Sequence, residues 1–320
     1  MASSEANRSE VAASSVLRLG TRGSLLARSQ SQLVANMLAQ MHAGLSVELV
    51  VISTSGDQIA HRPLHEVGGK GLFVKELEQA LLAGQIDLAV HSLKDMPVTM
   101  PLVEQADLVI GAVPAREDPR DVMVSLEARS IDQLKKGARV GTGSLRRRCQ
   151  LLDHRPDLEI VPIRGNIDTR IRKLREGQFD AVILAAAGLA RGGLFDPAIM
   201  TPLEIETCVP AAGQGALAIQ CRASDDRTRG LIEPLNDAST FDCVAAERAL
   251  IRLLRGDCLS PIGALATIQG DDITLKAAVG ARAGEPPVLR AMAAGGDPDG
   301  VAHECFHILA QQHVEALLHG

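Results

Sequence analysis

Arginine dominates the candidate chemistry of this 320-residue chain. The sequence has 26 arginines but only seven lysines, and its formal net charge is −6. Between residues 146 and 191, ten basic residues stand against six acidic ones, so this stretch is positive within an acidic protein. A guanidinium binds a carboxylate or phosphate through paired hydrogen bonds, whereas lysine offers a point charge. The pattern favours a site for a small polyanionic ligand; a solvated helix face is the alternative.

A carboxylate and a thiol could add reactivity to this basic region. Lys94 and Asp95 follow the apolar run at 86–92, at the end of a predicted strand where ligands bind in α/β sheets. Asp95 could stabilise positive charge that develops on a substrate, although an ordinary surface ion pair is the alternative. Cys258 lies on a predicted turn, unlike the other five cysteines, and is a candidate nucleophile or covalent anchor. A solvent-facing bystander thiol is the alternative.

Two further motifs match known sites only superficially. His303 to His307 read HExxH, and His313 stands where a third zinc ligand would follow. That arrangement needs a helix break at position 310, and Ala310 instead continues the helix, so we expect surface histidines and no metal site. The glycines around Lys70 resemble a phosphate loop, but the hydroxyl residue that should follow the lysine is replaced by Gly71.

Composition excludes several classes of protein. Apolar residues make up 46% of the chain, which is enough for a sizeable core, and the absence of Trp and Tyr makes that core aliphatic. Few aromatic side chains and a negative net charge disfavour nucleic-acid binding. No apolar run is long enough to span a membrane, and residues 1–15 form a polar tail rather than a signal peptide. The unpaired cysteine spacing indicates reduced thiols and a cytoplasmic location.

Short apolar runs alternate with helical patterns along most of the chain, which predicts parallel sheets covered by helices on both faces. We predict strands at 16–21, 46–53, 86–92, 107–113, 121–126, 138–142, 158–163, 181–186 and 216–221. We predict helices at 24–42, 70–84, 144–153, 167–176 and 225–235. Residues 54–69 lack periodicity and predict a mobile loop.

The C-terminal part follows a different pattern, which predicts a small α+β domain. A helix at 238–255 is followed by three antiparallel strands and a last helix. The strands are predicted at 263–269, 272–282 and 287–294, and the last helix at 300–317.

Nine blocks of sequence, in order and at matching spacing, resemble the porphobilinogen deaminase (hydroxymethylbilane synthase) family. They cover roughly residues 16–320. The blocks are GTRGSLLA (20–27), VGGKGLFVKELE (67–78), DLAVHSLKDMP (87–97), REDPRD (116–121), VGTGSLRRRCQL (140–151), RGNIDTR (164–170), AGLARGGL (187–194), PAAGQGAL (210–217) and CLSPIG (258–263).

The resemblance implies a transferase of porphyrin and haem biosynthesis. The family joins four porphobilinogen molecules head to tail, with loss of ammonia, into hydroxymethylbilane. Its primer is a covalent dipyrromethane cofactor, which the resemblance attaches to Cys258 through a thioether. It makes Asp95 the catalytic carboxylate. It also assigns a set of cofactor- and substrate-binding residues: Arg22, Ser24, Lys70, Lys94, Ser144, Arg146, Arg147, Arg164, Arg170 and Arg191.

The implied fold has two α/β lobes of the type II periplasmic-binding-protein kind and a small C-terminal α+β domain. Domain 1 would comprise 16–114 and 212–235, domain 2 would be 115–211, and domain 3 would be 236–320.

The resemblance also implies a monomer without metal, nucleic-acid or membrane partners. A non-catalytic two-lobed carboxylate-binding protein is the alternative, although it leaves Asp95 and Cys258 without a role. Departures from the family at Glu66, Asp168 and Arg255–Asp257 fall on none of the catalytic, anchoring or binding positions.

Overall fold

A computed structural model describes residues 16–54, 74–98, 107–257 and 259–319. The predicted tail at 1–15 lies outside the described residues, as do the loop predicted at 54–69 beyond Thr54, Lys70 and Cys258.

The first sheet has five strands in the order β2-β1-β3-β10-β4. Its strands are β1 (Val16–Thr21), β2 (Ser46–Val51), β3 (Leu88–Ser92), β4 (Leu108–Ala112) and β10 (Leu217–Arg222). The helices that accompany it are α1 (Leu25–Met41), α2 (Lys75–Leu82) and α6 (Asp226–Ile232). A single 3-10 turn, Leu93–Asp95, continues directly from β3 and carries the candidate carboxylate.

The second sheet also has five strands, in the order β7-β6-β8-β5-β9. Its strands are β5 (Asp121–Val124), β6 (Arg139–Gly141), β7 (Glu159–Val161), β8 (Ala181–Ala185) and β9 (Met200–Pro202). Its helices are α3 (Leu145–His154), α4 (Ile167–Arg175) and α5 (Ala186–Arg191).

The third sheet is antiparallel and forms the C-terminal α+β unit that the sequence predicts. Its strands are β11 (Ile262–Gln269), β12 (Asp272–Val279) and β13 (Leu289–Gly295), paired in that order. Its helices are α7 (Ala238–Leu253), α8 (Pro298–Gln311) and α9 (Val314–His319). Aliphatic side chains of α7, α8 and the sheet make one core, which suits a chain without Trp or Tyr.

The chain passes between the first two sheets twice, because β10 returns to the first sheet after the whole second sheet has been formed. The expected fold class, two α/β lobes and a small α+β domain, is confirmed.

The expectation of parallel sheets is wrong in part. β10 runs antiparallel to β3 and β4, and β5 runs antiparallel to β8 and β9. Strands that enter a sheet from the other lobe need no helical crossover, so nothing requires them to run parallel. The domain boundaries themselves stay a prediction.

The last predicted helix is also corrected. It ends at Gln311, and α9 begins at Val314, because His313 takes a left-handed backbone conformation with φ of 62°. Ala310 is helical, as expected, so the break that a third zinc ligand needs at position 310 is absent; only the expected continuation of the helix to His313 is wrong. His303 Nδ1 lies 2.8 Å from the carbonyl of Asp299, and His307 Nε2 lies 3.0 Å from Gln311 Nε2. In the described ranges, no group of three or more His, Cys, Asp or Glu side chains is placed to hold a metal ion.

Candidate active site

The turn that carries Lys94 and Asp95 lies at the carboxyl end of β3. Asp95 is exposed, whereas the Lys94 side chain is half-buried and donates from Nζ to Gln214 Oε1 at 3.4 Å. Burial lowers the pKa of Lys94, and the carboxylates of Asp95 and Asp121 oppose that shift. The charges of Arg146 and Arg147 also act on Lys94. The turn of the first lobe therefore lies within electrostatic reach of the arginines of the second.

Arg146 and Arg147 form a buried cluster with one carboxylate. Arg146 Nη1 lies 2.7 Å from Asp121 Oδ2, and Arg147 Nη2 lies 2.7 Å from Asp121 Oδ1. The Asp121 side chain has no exposed surface, and only 4% and 7% of the two arginines is exposed. Although burial opposes ionisation, the two guanidinium groups hold the pKa of Asp121 well below its usual range. Two positive charges share one negative charge, so the cluster keeps a net positive charge.

α3 brings this arginine pair to the cluster. Ser144 is the N-cap of the helix, and its side chain makes no capping hydrogen bond. Gln150, one turn further along the helix, donates to the Val209 carbonyl at 3.1 Å, and Arg146 donates to the same carbonyl at 2.7 Å. The helix is therefore anchored to the segment through which the chain leaves the second lobe.

Arg170 and Arg191 are further cations in partly buried positions. Burial, together with the charges of Arg147 and Arg164, lowers the pKa of Arg170 to about 10. Burial also lowers the pKa of Arg191. Arg191 Nη2 donates to the Gly215 carbonyl at 2.8 Å, while its buried Nε has no hydrogen-bond partner in the described part of the chain. A bound anionic ligand would stabilise the charged form of a guanidinium group in such surroundings.

The first lobe contributes the N-terminus of α1. Ser24 is the N-cap and accepts a hydrogen bond from the Ala27 amide at 3.3 Å, so its hydroxyl already has a structural role. Arg22 precedes it and acts electrostatically on His91, at the end of β3. Ser29 on the same helix donates to the Arg191 carbonyl at 2.5 Å, which joins the two lobes.

The structure thus links most of the predicted site residues, with two exceptions. Lys94 of the Asp95 turn, Arg146, Arg147, Arg164 and Arg170 are linked by direct contacts or by their charges. The backbone carbonyl of Arg191 meets α1 at Ser29, where the lobes join. Lys70 and Cys258 fall outside the described residues. Next to position 258, Asp257 Oδ1 accepts from the Leu259 amide at 3.0 Å on an exposed turn.

Sequence reasoning missed two residues of this site, Asp121 and Gln214. Both fall within the blocks REDPRD and PAAGQGAL, but no role was predicted for them. The signal for Asp121 was available: an acidic residue opens the apolar strand Asp121–Val124, whose residues are all buried. A buried carboxylate needs a cationic partner, and the arginine-rich stretch that follows was the obvious source.

The family follows from comparison with known proteins. Residues 17–230 match the model of the porphobilinogen deaminase dipyrromethane cofactor binding domain, and residues 241–311 match that of the porphobilinogen deaminase C-terminal domain. The chain belongs to the porphobilinogen deaminase family. It therefore contains the dipyrromethane-binding domain of that family, and a non-catalytic carboxylate-binding protein is not favoured.

Curated relatives are similar to this chain along most of its length. The porphobilinogen deaminase of Syntrophotalea carbinolica is 52% identical over 82% of each chain. That of a Roseiflexus species is 46% identical over 95% of this chain and 99% of the relative. That of Geobacillus kaustophilus is 47% identical over 94% of this chain and 96% of the relative.

Solved structures with a similar fold include two binding proteins. A periplasmic substrate-binding protein of an ABC transporter from Coxiella burnetii is 16% identical, covers 72% of this chain and 96% of its own, and has a TM-score of 0.42. A methionine-binding protein is 14% identical over 73% of this chain and 94% of its own, with a TM-score of 0.43. None of the helices in the described segments combines the length and apolarity that spanning a membrane requires.

The arginines of this chain suit the dipyrromethane group of the porphobilinogen deaminase family. That group is a polycarboxylate. The net positive Asp121 cluster is complementary to carboxylate oxygens, and so is the Nε of Arg191, which has no hydrogen-bond partner among the described residues.

Proposed function

We propose that this chain is an active porphobilinogen deaminase. It would join four porphobilinogen molecules head to tail into hydroxymethylbilane, on a dipyrromethane primer held by a thioether at Cys258. The observation that carries the proposal is that the Asp95 turn lies against buried arginines. Lys94 reaches Gln214 at 3.4 Å, and Gln214 in turn reaches Asp121, the partner of Arg146 and Arg147, at 2.9 Å.

The arginines would bind the side chains of the pyrrole rings. Each ring carries an acetate and a propionate, so a growing chain brings several carboxylates into a site whose cations are only partly compensated. We assign this role to the binding set: Arg22, Ser24, Lys70, Lys94, Ser144, Arg146, Arg147, Arg164, Arg170 and Arg191. Burial lowers the pKa of Arg170 and Arg191, and a bound carboxylate would oppose that shift by stabilising the charged guanidinium groups.

Asp95 would act on the reacting ring. When the aminomethyl C–N bond of porphobilinogen breaks, ammonia leaves and the remaining pyrrole becomes a cationic azafulvene. The exposed carboxylate of Asp95 would accept hydrogen bonds from pyrrole N–H groups, stabilise that cation and assist proton transfer. The dipyrromethane group, when bound, supplies the free α-carbon from which the tetrapyrrole is built. Lys94 beside Asp95 supplies a cation for the ring carboxylates.

The exchange of Asp95 for asparagine tests this assignment. Asp95→Asn keeps the shape of the side chain and removes its charge, so we expect kcat to fall about 100- to 1,000-fold while the urea midpoint stays unchanged. Asp271→Asn, an exposed carboxylate in the turn between β11 and β12, is the matched control and should keep normal turnover. Turnover of Asp95→Asn within threefold of the unmodified chain would exclude Asp95 as the catalytic carboxylate.

We further propose a monomer that works in the cytoplasm. Cys149, Cys208, Cys221, Cys243 and Cys305 are all buried free thiols, which fits a reducing compartment. Sedimentation velocity would test the monomer, since a concentration-dependent increase in sedimentation coefficient would contradict it.

A further inference from the structure

The second crossing between the lobes, residues 203–216 between β9 and β10, makes a tight turn against the Asp95 segment. Gly213 has φ of 71°, and a Cβ there would overlap the Leu93 side chain and lie 3.2 Å from the Lys94 amide nitrogen. Gly215 has φ of 90°, and a Cβ there would overlap the Glu117 carbonyl. Only glycine fits such close approaches at positive φ. The turn 213–215 is therefore fixed against both the Asp95 turn and the first crossing between the lobes, residues 113–120 between β4 and β5.

Between these glycines, Gln214 joins the Lys94 ammonium to the arginine cluster. Its side chain is 1% exposed. Nε2 donates to Asp121 Oδ1 at 2.9 Å and to the Pro119 carbonyl at 2.6 Å, while Oε1 accepts from Lys94 Nζ at 3.4 Å. An amide suits both neighbours, because the two acceptors face its donor and the ammonium faces its acceptor.

We propose that Gln214 is a positioning residue of the active site, whose amide holds the Lys94 ammonium against the Asp121–Arg146–Arg147 cluster and so keeps it from pairing with Asp95. The inference rests on the proposed function, because it takes Asp95 as the catalytic carboxylate. Gln214 itself would touch neither the substrate nor the cofactor.

Charge explains why Lys94 needs to be held. Asp95 and Asp121 are the anions that act on its ammonium, and Arg146 and Arg147 repel it from the Asp121 side. Gln214 Oε1 is the acceptor that holds Lys94 Nζ on that side among the described residues, and without it Asp95 becomes the favoured partner. An Asp95 carboxylate neutralised by Lys94 cannot stabilise a cationic ring as well.

Gln214→Met tests the proposal, because methionine matches the side chain in length and removes both ends of the amide. Gln220→Met is the matched control: Gln220 is also 1% exposed, and its amide joins Glu78 to His91 instead. We expect Gln214→Met to lower kcat about 30-fold with KM within threefold, since it weakens a charge used in the transition state. Gln220→Met should lose comparable stability and keep kcat within threefold.

The titration midpoint of Lys94 distinguishes a positioning role from a merely structural one, because a loss of stability alone would not change it. The chain has only seven lysines, so NMR of the protein after reductive ¹³C-methylation resolves them individually, with Lys94→Arg to identify the Lys94 signal. In Gln214→Met, pairing with Asp95 should raise the Lys94 midpoint by about one pH unit, and adding Asp95→Asn should reverse the increase. An unchanged midpoint, or kcat within threefold, overturns the proposal.

A second variant serves if Gln214→Met does not fold. Gln214→Glu keeps an oxygen that accepts from Lys94, and its ionised carboxylate holds the ammonium more strongly than the amide does. The Lys94 midpoint of this variant should rise and stay raised when Asp95→Asn is added, because Lys94 then pairs with position 214; a midpoint that falls back on adding Asp95→Asn would contradict the proposal. Intact mass of each variant reports whether the primer is present. An unmodified chain with neither primer nor turnover would refute the proposed function instead.

Discussion

Glu247 on α7 offers a sharp test of what holds the three domains together. Its side chain has no exposed surface and lies where the two crossings meet the C-terminal sheet. Oε1 accepts from Arg116 Nη1 at 2.6 Å and from the Ala266 amide at 2.8 Å. Oε2 accepts from the Gly213 amide at 2.6 Å and from Arg116 Nη2 at 3.2 Å. One carboxylate thus binds the first crossing, the second crossing and β11.

Glu247→Gln keeps the volume and removes the charge. Whichever oxygen becomes an NH₂ group then faces a backbone N–H and the Arg116 guanidinium, neither of which can accept a hydrogen bond. Arg116, with 11% of its side chain exposed, also loses its counter-charge. Breaking a buried ion pair from one side costs about 3–5 kcal/mol. That is a large part of the roughly 5–15 kcal/mol by which a native protein is stable.

Urea unfolding of Glu247→Gln, followed by circular dichroism, measures the loss. Glu304→Gln, on an exposed position of α8, is the control and should stay within about 0.5 kcal/mol of the unmodified chain. We expect the Glu247→Gln transition at a much lower urea concentration, or split in two as the domains separate. A single transition displaced by less than about 1 kcal/mol would refute the reasoning, because solvent or rearrangement would then satisfy the buried donors.

Two more predictions concern the surroundings of the Asp95 turn. Burial and the charge of Arg22 lower the pKa of His91 to about 4, so the unfolded chain binds a proton that the folded chain does not between about pH 6.5 and 4. The contribution of His91 to stability should be complete above pH 6.5 and fall by up to about 3 kcal/mol towards pH 4. Urea midpoints at pH 7 and 4.5 measure this loss. An equal loss between the two pH values in His91→Gln would contradict the prediction. Arg248 on α7 donates to the Met96 and Pro97 carbonyls at 3.3 and 2.6 Å. Arg248→Met should lower the free energy of unfolding by about 1.5–3 kcal/mol, and a loss no greater than that of Arg252→Met, an exposed position on the same helix, would contradict this.

Periodicity predicted most of the longer elements, because they span enough residues to show a repeat. The strand Val16–Thr21 was predicted with its observed bounds, because an apolar run between a polar tail and a helix cap leaves little choice. Ala186–Arg191 and Met200–Pro202 were missed, since a helix of six residues and a strand of three show no period. The last helix was predicted too long, because nothing in the local pattern marks the left-handed backbone at His313.

The sequence predicted which residues belong to the candidate site but not which of them contact one another. Charge clustering and motif order selected Asp95 and the arginines. They did not show that Arg146 and Arg147 share the buried Asp121. Nor did they show that Gln214 reaches Lys94. The first contact joins β5 to α3, 25 residues apart in the sequence. The second arises only when the chain crosses between the lobes a second time, and neither proximity has a signature in a local sequence window.

The intact mass of the purified chain, measured beside that of Cys258→Ser, tests the central claim most directly. The account predicts a mass excess equal to two linked pyrrole units in the unmodified chain and none in the variant. If the protein is isolated without the primer, incubation with porphobilinogen should produce the same excess, again only when Cys258 is present. An unmodified chain that gains no mass after this incubation, or a Cys258→Ser variant that carries the excess, would contradict the account.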